Sequence, residues 1–132
     1  MIILIMGCSR TGLMVARTLA LEGHDVTILD TDEENLWRLQ DEPGIAALVG
    51  DGILDEDLKR AGVESADVFV AVEESDTRNA LAAQKARYVF NTPNVVCHID
   101  DPQRQAMYSN MGFVAISPAS IVSDLILKAI HR

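Results

Sequence analysis

The sequence is poor in aromatic residues and has no basic cluster, and both shortages limit what the protein can do. Its 132 residues include one Trp, two Tyr and three Phe, so Ala, Val, Leu and Ile must supply the core. The 11 Lys and Arg residues are outnumbered by 20 Asp and Glu residues, which gives a net charge of −9. A nucleic acid or an anionic membrane surface is therefore not expected as a direct partner.

Cysteines and long apolar runs are also scarce. Cys8 and Cys97 are the two cysteines, and their separation is not that of metal ligands. No apolar run approaches the ~20 residues that cross a bilayer, and Met1 leads into a strand pattern without a basic leader. We therefore expect a cytoplasmic protein with reduced thiols, without direct membrane insertion and without a bound metal.

Six short apolar segments alternate with helical patterns along the chain. The predicted strands are Ile2–Met6, Val26–Asp30, Ile45–Val49, Asp67–Val72, Val95–Ile99 and Val114–Ile116. Such alternation produces a parallel sheet covered on both faces, and right-handed crossovers give the strand order 3-2-1-4-5-6. The predicted fold class is α/β, a Rossmann-like doubly wound six-stranded sheet, with residues 1–132 forming a single domain.

Helix starts are predicted from capping residues. Thr31 and Glu34 form a candidate capping box for the second helix, and Asp55 is a candidate cap for the third. The helix after the fourth strand is predicted to start at Ser75 or Asp76. The longer helices are predicted over about 10–22, 76–90, 102–112 and 118–132.

The turn after the first strand, Gly7-Cys8-Ser9-Arg10-Thr11-Gly12, is the most informative motif. It leads into a helix whose first N–H groups can hold a phosphate. The usual pattern is G-x-G-x-x-G, and Ser9 replaces the glycine that lets the backbone approach a pyrophosphate, while its hydroxyl offers a donor. The motif predicts a phosphate site, although two glycines in such a turn can also serve the turn alone.

An acidic residue ends the second predicted strand. Asp30 follows Gly12 by eighteen residues, and a carboxylate there can accept hydrogen bonds from both hydroxyls of a ribose. Turn, helix and acid together predict a nucleotide site. Asp30 favours NAD(H) or an adenosine nucleotide over a 2′-phosphorylated one, because two negative groups would otherwise meet.

Several motifs together carry a family resemblance. They are Gly7–Gly12 (G-x-G-R-x-G except at Ser9), Gly23–Asp30 (G-H-D/E-V-x-x-I/L-D), Gly50-Asp51, Ala61–Asp67, Ala71–Asn79 and Gly112–Pro118. As a set they resemble the Trk-type potassium-transport nucleotide-binding domain, the KTN or RCK N-terminal domain. The resemblance covers nearly the whole chain.

The resemblance implies a cytoplasmic regulatory domain that binds an adenine nucleotide, one of NAD(H), ATP, ADP or AMP, and controls a potassium channel or transporter. It also implies a homodimer or higher ring and a membrane-embedded partner subunit. The ligand-binding residues that it implies are Gly7, Ser9, Arg10, Thr11, Gly12, Asp30, Thr31, Asp51, Gly52, Val72, Glu73 and His98.

Two further positions depart from the family pattern. Glu73 stands where the family has threonine, and an extra carboxylate near phosphates is unfavourable unless it is solvated or metal-bridged. His98 stands where the family often has arginine, and neutral histidine offers one donor instead of a charged fork. A shorter or less charged nucleotide, or weaker binding, is therefore predicted. Glu73, Glu74 and Asp76 could collect a divalent cation, or simply be the acids that a helix N-terminus favours.

Three alternatives fit parts of the sequence. An NAD-dependent oxidoreductase fragment suits the fold, but neither Tyr88 nor Tyr108 has a lysine four residues on, and we predict that the chain is not an enzyme. A dimerisation module with a vestigial nucleotide site would account for Ser9, Glu73 and His98. Redox sensing would need a Cys8 thiol whose pKa is lowered by the helix N-terminus. Met107, Met111 and Phe113 could form a dimer surface or pack in the core.

Overall fold

The computed structural model describes residues 1–39 and 41–132, which form six strands and six α-helices in alternation. The strands are β1 (Ile2–Met6), β2 (Asp25–Asp30), β3 (Ile45–Val49), β4 (Val68–Ala71), β5 (Asn94–His98) and β6 (Val114–Ile116). The helices are α1 (Arg10–Leu21), α2 (Glu33–Leu36), α3 (Asp55–Arg60), α4 (Asp76–Gln84), α5 (Pro102–Tyr108) and α6 (Pro118–Ile130). A 3₁₀ turn, Trp37–Leu39, follows α2, and a π-helical turn, Lys85–Val89, continues α4.

The strands form one sheet in the order β3-β2-β1-β4-β5-β6, and every neighbouring pair is parallel. This confirms the predicted fold class and strand order. Met6 at the end of β1 is in register with Leu29 of β2 and Ala71 of β4. The segments that follow these three strands therefore leave the sheet at the same edge.

The central strand β1 is apolar throughout because both of its faces are covered. Ile3 and Ile5 belong to a buried cluster with Leu13 and Ala16 of α1. Leu4 and Met6 point to the opposite face, into a second cluster that includes Leu58 of α3 and Ala83 of α4. A strand buried on both faces loses the polar alternation of a half-exposed strand, which explains why the sequence pattern is a continuous apolar run.

Two predicted helix caps are wrong. Asp32, not Thr31, caps α2, and its Oδ1 accepts a hydrogen bond from the N–H of Glu34 at 3.0 Å. The N–H of Asp32 is itself held by Oδ1 of Asp30 at 2.8 Å, which places the helix start one residue later. Asp55 is the first residue of α3 and not its cap, because Leu54 occupies the cap position without a side-chain hydrogen bond.

Other boundaries follow the prediction more closely. The strand ends agree within one residue. Ser75 caps α4 through a 3.2 Å hydrogen bond from the N–H of Arg78 to its Oγ, and Asp101 caps α5 with Pro102 at the first helical position. The helix after Pro102 is shorter than predicted and ends at Tyr108.

The last helix, α6, carries an apolar stripe that the rest of the chain does not cover. Its six apolar side chains at helical spacing are Ile121, Val122, Leu125, Ile126, Ala129 and Ile130, and all are exposed. Phe113 instead belongs to the core, and Met111 packs against it, while Met107 is exposed. Across residues 1–39 and 41–132, no helix has both the length and the apolar character required to span a membrane.

Candidate nucleotide site

A groove of about 540 Å³ opens where β1, β2 and β4 end. In an open parallel sheet this edge, where the strand order reverses, is the usual place for a ligand. The groove is lined by Gly7, Cys8, Ser9, Arg10, Asp30, Thr31, Asn35, Arg38, Glu73, Glu74 and Ser75. Six of the twelve predicted ligand-binding residues thus share one cavity: Gly7, Ser9, Arg10, Asp30, Thr31 and Glu73.

Both glycines of the turn are required by the fold itself. Gly7 has φ +112°, a left-handed conformation, and a Cβ there would lie 3.0 Å from the backbone N of Glu73. A Cβ on Gly12 would lie 2.1 Å from the carbonyl oxygen of Gly7. These contacts let α1 start directly against β1 and the segment after β4, so the glycines explain the turn before any ligand is considered.

Ser9 uses its hydroxyl inside the fold. Its Oγ accepts the N–H of Gly12 at 3.1 Å, as the cap of α1, and donates to the carbonyl oxygen of Val72 at 2.9 Å. The hydroxyl proton that the sequence offered to a phosphate is therefore already donated. The N–H groups of Arg10 and Thr11 remain, because the first residues of a helix have no intrahelical acceptor.

Asp30 connects the glycine turn to the end of β2. Its Oδ2 accepts the N–H of Cys8 at 2.8 Å, while its Oδ1 accepts the N–H of Asp32 at 2.8 Å and Nδ2 of Asn35 at 3.3 Å. The residue is only 8% exposed. A carboxylate has about four lone-pair sites, so these bonds leave room for one ribose hydroxyl and not for the two that the sequence predicted.

Arg38 is a groove residue that the sequence reasoning missed. Its Nη2 donates to the carbonyl oxygen of Cys8 at 3.0 Å, and the side chain is exposed. Arg38 follows Asn35 by three residues, and residues three apart lie on the same helix face. That spacing, on the helical segment directly after Asp30, was the signal that could have placed both side chains in the groove.

Glu73 is neutralised by an arginine. Arg78 of α4 donates from Nε to Oε1 of Glu73 and from Nη2 to Oδ1 of Asp51, each at 2.6 Å. These two carboxylates raise the pKa of Arg78 further above its ordinary value, mainly through the hydrogen bond to Glu73. The repulsion that Glu73 was predicted to exert on a phosphate is therefore reduced within the site, where Arg78 is shared by two carboxylates.

Asp51 and Gly52 do not line the groove. Asp51 lies on the far side of the Arg78 ion pairs, where its Oδ1 also accepts the N–H of Ile53 at 3.1 Å. Gly52 is a packing requirement, because a Cβ there would lie 2.1 Å from Sδ of Met6. The structure thus gives Asp51 a contact with Arg78 and gives Gly52 a contact with the core.

Thr11, Val72 and His98 line a second, smaller cavity of about 150 Å³ on the β5–β6 side of the turn. Its walls are mostly apolar and include Val96 and Ile116. Nε2 of His98 is buried without a hydrogen-bond partner in the described part of the chain, and it lies 4.0 Å from Oδ1 of Asp100. The structure therefore separates these three residues from the Asp30 end of the main groove.

Neither cysteine has the environment of a reactive thiolate. Cys8 is fully buried, and burial raises the pKa of its thiol although Arg38 acts in the opposite direction. The lowered pKa considered from its place near the helix start is therefore wrong. Burial also raises the pKa of Cys97 to about 12. Both thiols are held in the protonated form at neutral pH.

Two acidic residues near the start of α4 are paired with groups of the protein. Glu73 is bound to Arg78, and the carboxylate of Asp76 accepts the N–H groups of Asp100 at 2.8 Å and Asp101 at 3.1 Å. Within residues 1–39 and 41–132, no three His, Cys, Asp or Glu side chains come together as a metal-binding group. Hydrogen bonding and the helix start account for Glu73 and Asp76, while Glu74 is exposed.

Comparison with known proteins agrees with the motifs. The sequence model of the TrkA-N domain family matches residues 3–118. The Trk system potassium uptake protein TrkA of Streptomyces coelicolor is 35% identical over 126 residues, which are 96% of this chain and 56% of that protein. The chain therefore spans little more than half the length of this relative.

Solved structures share the fold. The Shewanella denitrificans Kef CTD in its AMP-bound form has a TM-score of 0.79 and 22% identity, and the match covers 99% of this chain and 80% of that one. The GsuK channel bound to NAD has a TM-score of 0.74 and 20% identity, over 88% of this chain and 21% of that one. Since the family's sequence model matches residues 3–118, nearly the whole chain, the resemblance inferred from the motifs is confirmed, and the chain belongs to the TrkA-N domain family.

Proposed function

We propose that this chain is a cytoplasmic regulatory domain that binds an adenine nucleotide or NAD(H) and controls a potassium channel or transporter. The observation that carries the proposal is the groove, which places the glycine turn with Arg10 and the carboxylate of Asp30 in one cavity. Donors for a phosphate and an acceptor for a ribose hydroxyl, at the point where β1 and β4 diverge, are the two ends of a nucleotide site.

The charges of the groove support an anionic ligand despite the net charge of −9. Arg10 and Arg38 both line the cavity, as does the exposed Glu74, while Glu73 is paired with Arg78. The free N–H groups at the start of α1 add the positive end of a helix dipole. Local donors and cations thus supply the attraction that the whole molecule lacks.

The relatives support the ligand class and the partner. The Kef CTD is described with AMP and the GsuK channel with NAD, and the Streptomyces coelicolor relative is a potassium uptake protein. By this proposal the same ligand class binds the groove of our chain, and residues 1–132 form the nucleotide-binding unit of a potassium transport system. The chain carries out no reaction; the groove binds and releases its ligand unchanged.

Regulation requires that the ligand distinguish two arrangements of the protein, since equal affinity for both would shift neither. We propose that these arrangements are those of a homodimer or a higher ring. The exposed apolar stripe of α6 supports this part, because soluble monomers rarely leave a large contiguous apolar surface in water. The membrane-embedded partner subunit would respond to the change between the arrangements.

A thermal-shift panel with ATP, ADP, AMP, NAD⁺ and NADH tests the ligand site. A ligand at a hundred times its Kd adds about 2.7 kcal/mol of stability, so the Tm should rise. Asp30→Ala should weaken binding by roughly 1–3 kcal/mol through the lost hydrogen bond to the ribose. Asp25→Ala, an exposed residue at the other end of β2, is the matched control and should bind as the parent does.

The same panel separates the proposal from a dimerisation module with a vestigial site. The internal hydrogen bonds of Ser9 and Asp30 favour that second function. A vestigial site should give no Tm shift with any of the five nucleotides. That result would contradict the proposed nucleotide binding. Small-angle scattering with and without the bound nucleotide then tests whether the ligand changes the arrangement of the subunits. Identical profiles would argue against regulation by this route.

A further inference from the structure

Two opposite charges hold the same residue of the glycine turn. The N–H of Cys8 donates to Oδ2 of Asp30 at 2.8 Å, and the carbonyl oxygen of Cys8 accepts Nη2 of Arg38 at 3.0 Å. The ribose end of the groove therefore carries a guanidinium beside the carboxylate that ends β2. The sequence had placed only the carboxylate there.

Asp30 and Arg38 differ in exposure and in the number of hydrogen bonds that remain for a ligand. Asp30 is 8% exposed and accepts three protein donors, which leaves one lone-pair position for a hydroxyl. Arg38 is exposed, and among residues 1–39 and 41–132 its side chain donates one hydrogen bond, whereas a guanidinium can donate five. The accessible charge at this end of the groove is therefore positive.

We infer that Arg38 is a specificity-determining residue that lets the groove bind an adenosine whose ribose carries a 2′-phosphate, as in NADP(H). Asp30 binds one ribose hydroxyl, and the 2′-phosphate lies against the guanidinium of Arg38. This inference rests on the proposed nucleotide function and names its substrate class. It reverses the sequence-based prediction that Asp30 excludes such ligands.

Arg38 beside Asp30 suits a phosphate on the ribose better than a second hydroxyl. A guanidinium forms charge-assisted, paired hydrogen bonds with phosphate oxygens. The carboxylate of Asp30 is turned toward Cys8, Asp32 and Asn35 by its hydrogen bonds, so its charge is partly compensated before the ligand arrives. The repulsion expected from an acid at this position is correspondingly reduced.

Titration calorimetry with three small nucleotides tests the inference. The probes are 5′-AMP, 2′,5′-ADP (the adenosine part of NADP) and 3′,5′-ADP (the adenosine part of coenzyme A). We expect 2′,5′-ADP to bind about ten- to hundred-fold more tightly than 5′-AMP, the effect of hydrogen bonds to a charged group. Arg38→Gln should weaken the binding of 2′,5′-ADP about ten-fold more than it weakens the binding of 5′-AMP.

The control variants separate this role from general effects. Arg10→Gln should weaken 5′-AMP and 2′,5′-ADP equally, because Arg10 lies at the other end of the groove, in the turn. Arg104→Gln, an exposed arginine of α5, should change neither. Retained 5′-AMP binding in Arg38→Gln shows that the turn is intact without the bond to Cys8.

Three outcomes overturn the inference. One is an equal affinity of the parent protein for 5′-AMP and 2′,5′-ADP, and another is an equal loss of both in Arg38→Gln. A larger gain from 3′,5′-ADP than from 2′,5′-ADP would assign Arg38 to a 3′-phosphate instead. In each case 5′-AMP still binds to the parent protein, so the proposed function stands. A parent protein that binds none of the three nucleotides would refute the inference and the proposed function together.

Discussion

Nη2 of Arg78 lies 2.6 Å from Oδ1 of Asp51, although 27 positions separate the two residues in the sequence. The bond joins the segment after β3 to the first turn of α4. With its second bond, to Glu73, Arg78 pairs with two carboxylates at the edge of the sheet where the ligand groove opens. The repulsion that the sequence predicted at Glu73 is therefore reduced by a residue with no predicted role.

Arg78→Met should weaken nucleotide binding through charge. It leaves Asp51 and Glu73 uncompensated, so we expect the Kd for AMP to rise about ten-fold, roughly 1.4 kcal/mol, as expected for an uncompensated charge near a phosphate at the surface. Uncharged adenosine should lose much less. In the double variant Arg78→Met/Glu73→Gln, AMP affinity should recover in part. An equal loss for AMP and adenosine, measured by calorimetry, would show a structural role instead.

Cys97 should make the stability fall in alkaline solution. Burial raises the pKa of its thiol from 9.0 to about 12, so the unfolded chain loses this proton first as the pH rises. The stabilising effect is complete below about pH 9 and is lost between pH 9 and 12. The free energy of unfolding should fall there by up to about 1.4 kcal/mol per pH unit more than in Cys97→Ala.

Urea denaturation at pH 8, 9.5 and 10.5 provides the measurement for Cys97. Cys8 and the other titrating residues are the same in both proteins, so the difference between the two slopes isolates Cys97. Parallel pH dependences in the parent protein and Cys97→Ala would contradict the prediction.

The exposed stripe of α6 should hold the proposed homodimer together. Leu125→Lys places a charge in the stripe, and the dimer should dissociate because the ammonium would be buried without a partner. Asp124→Lys places the same side chain at an exposed position of α6 that is already charged, and it is the matched control. Light scattering coupled to size-exclusion chromatography gives the mass of each. A monomeric parent protein, or a Leu125→Lys variant as dimeric as Asp124→Lys, would refute this assembly.

The sequence alone was sufficient to predict the sheet and the turn that Gly7 and Gly12 form after β1. β1 could be recognised because a strand covered on both faces is apolar at every position. The strand order was predicted from right-handed crossovers, which the twist of the strands favours. Gly7 and Gly12 were recognisable because a tight strand-to-helix turn excludes a Cβ. These features depend on local geometry and on burial, and both leave a direct pattern in the residues.

The tertiary structure decided which polar side chains meet at the edge of the sheet. Arg38 binds the Cys8 carbonyl 30 residues away, and Arg78 binds Asp51. His98 lies in a separate cavity from Asp30 although both are at strand ends. Long side chains reach several partners, and their choice depends on the relative placement of loops from different strands. A local spacing such as that of Asn35 and Arg38 indicates a shared helix face, but it does not identify the partner, because the partners meet only when the complete sheet brings those loops together.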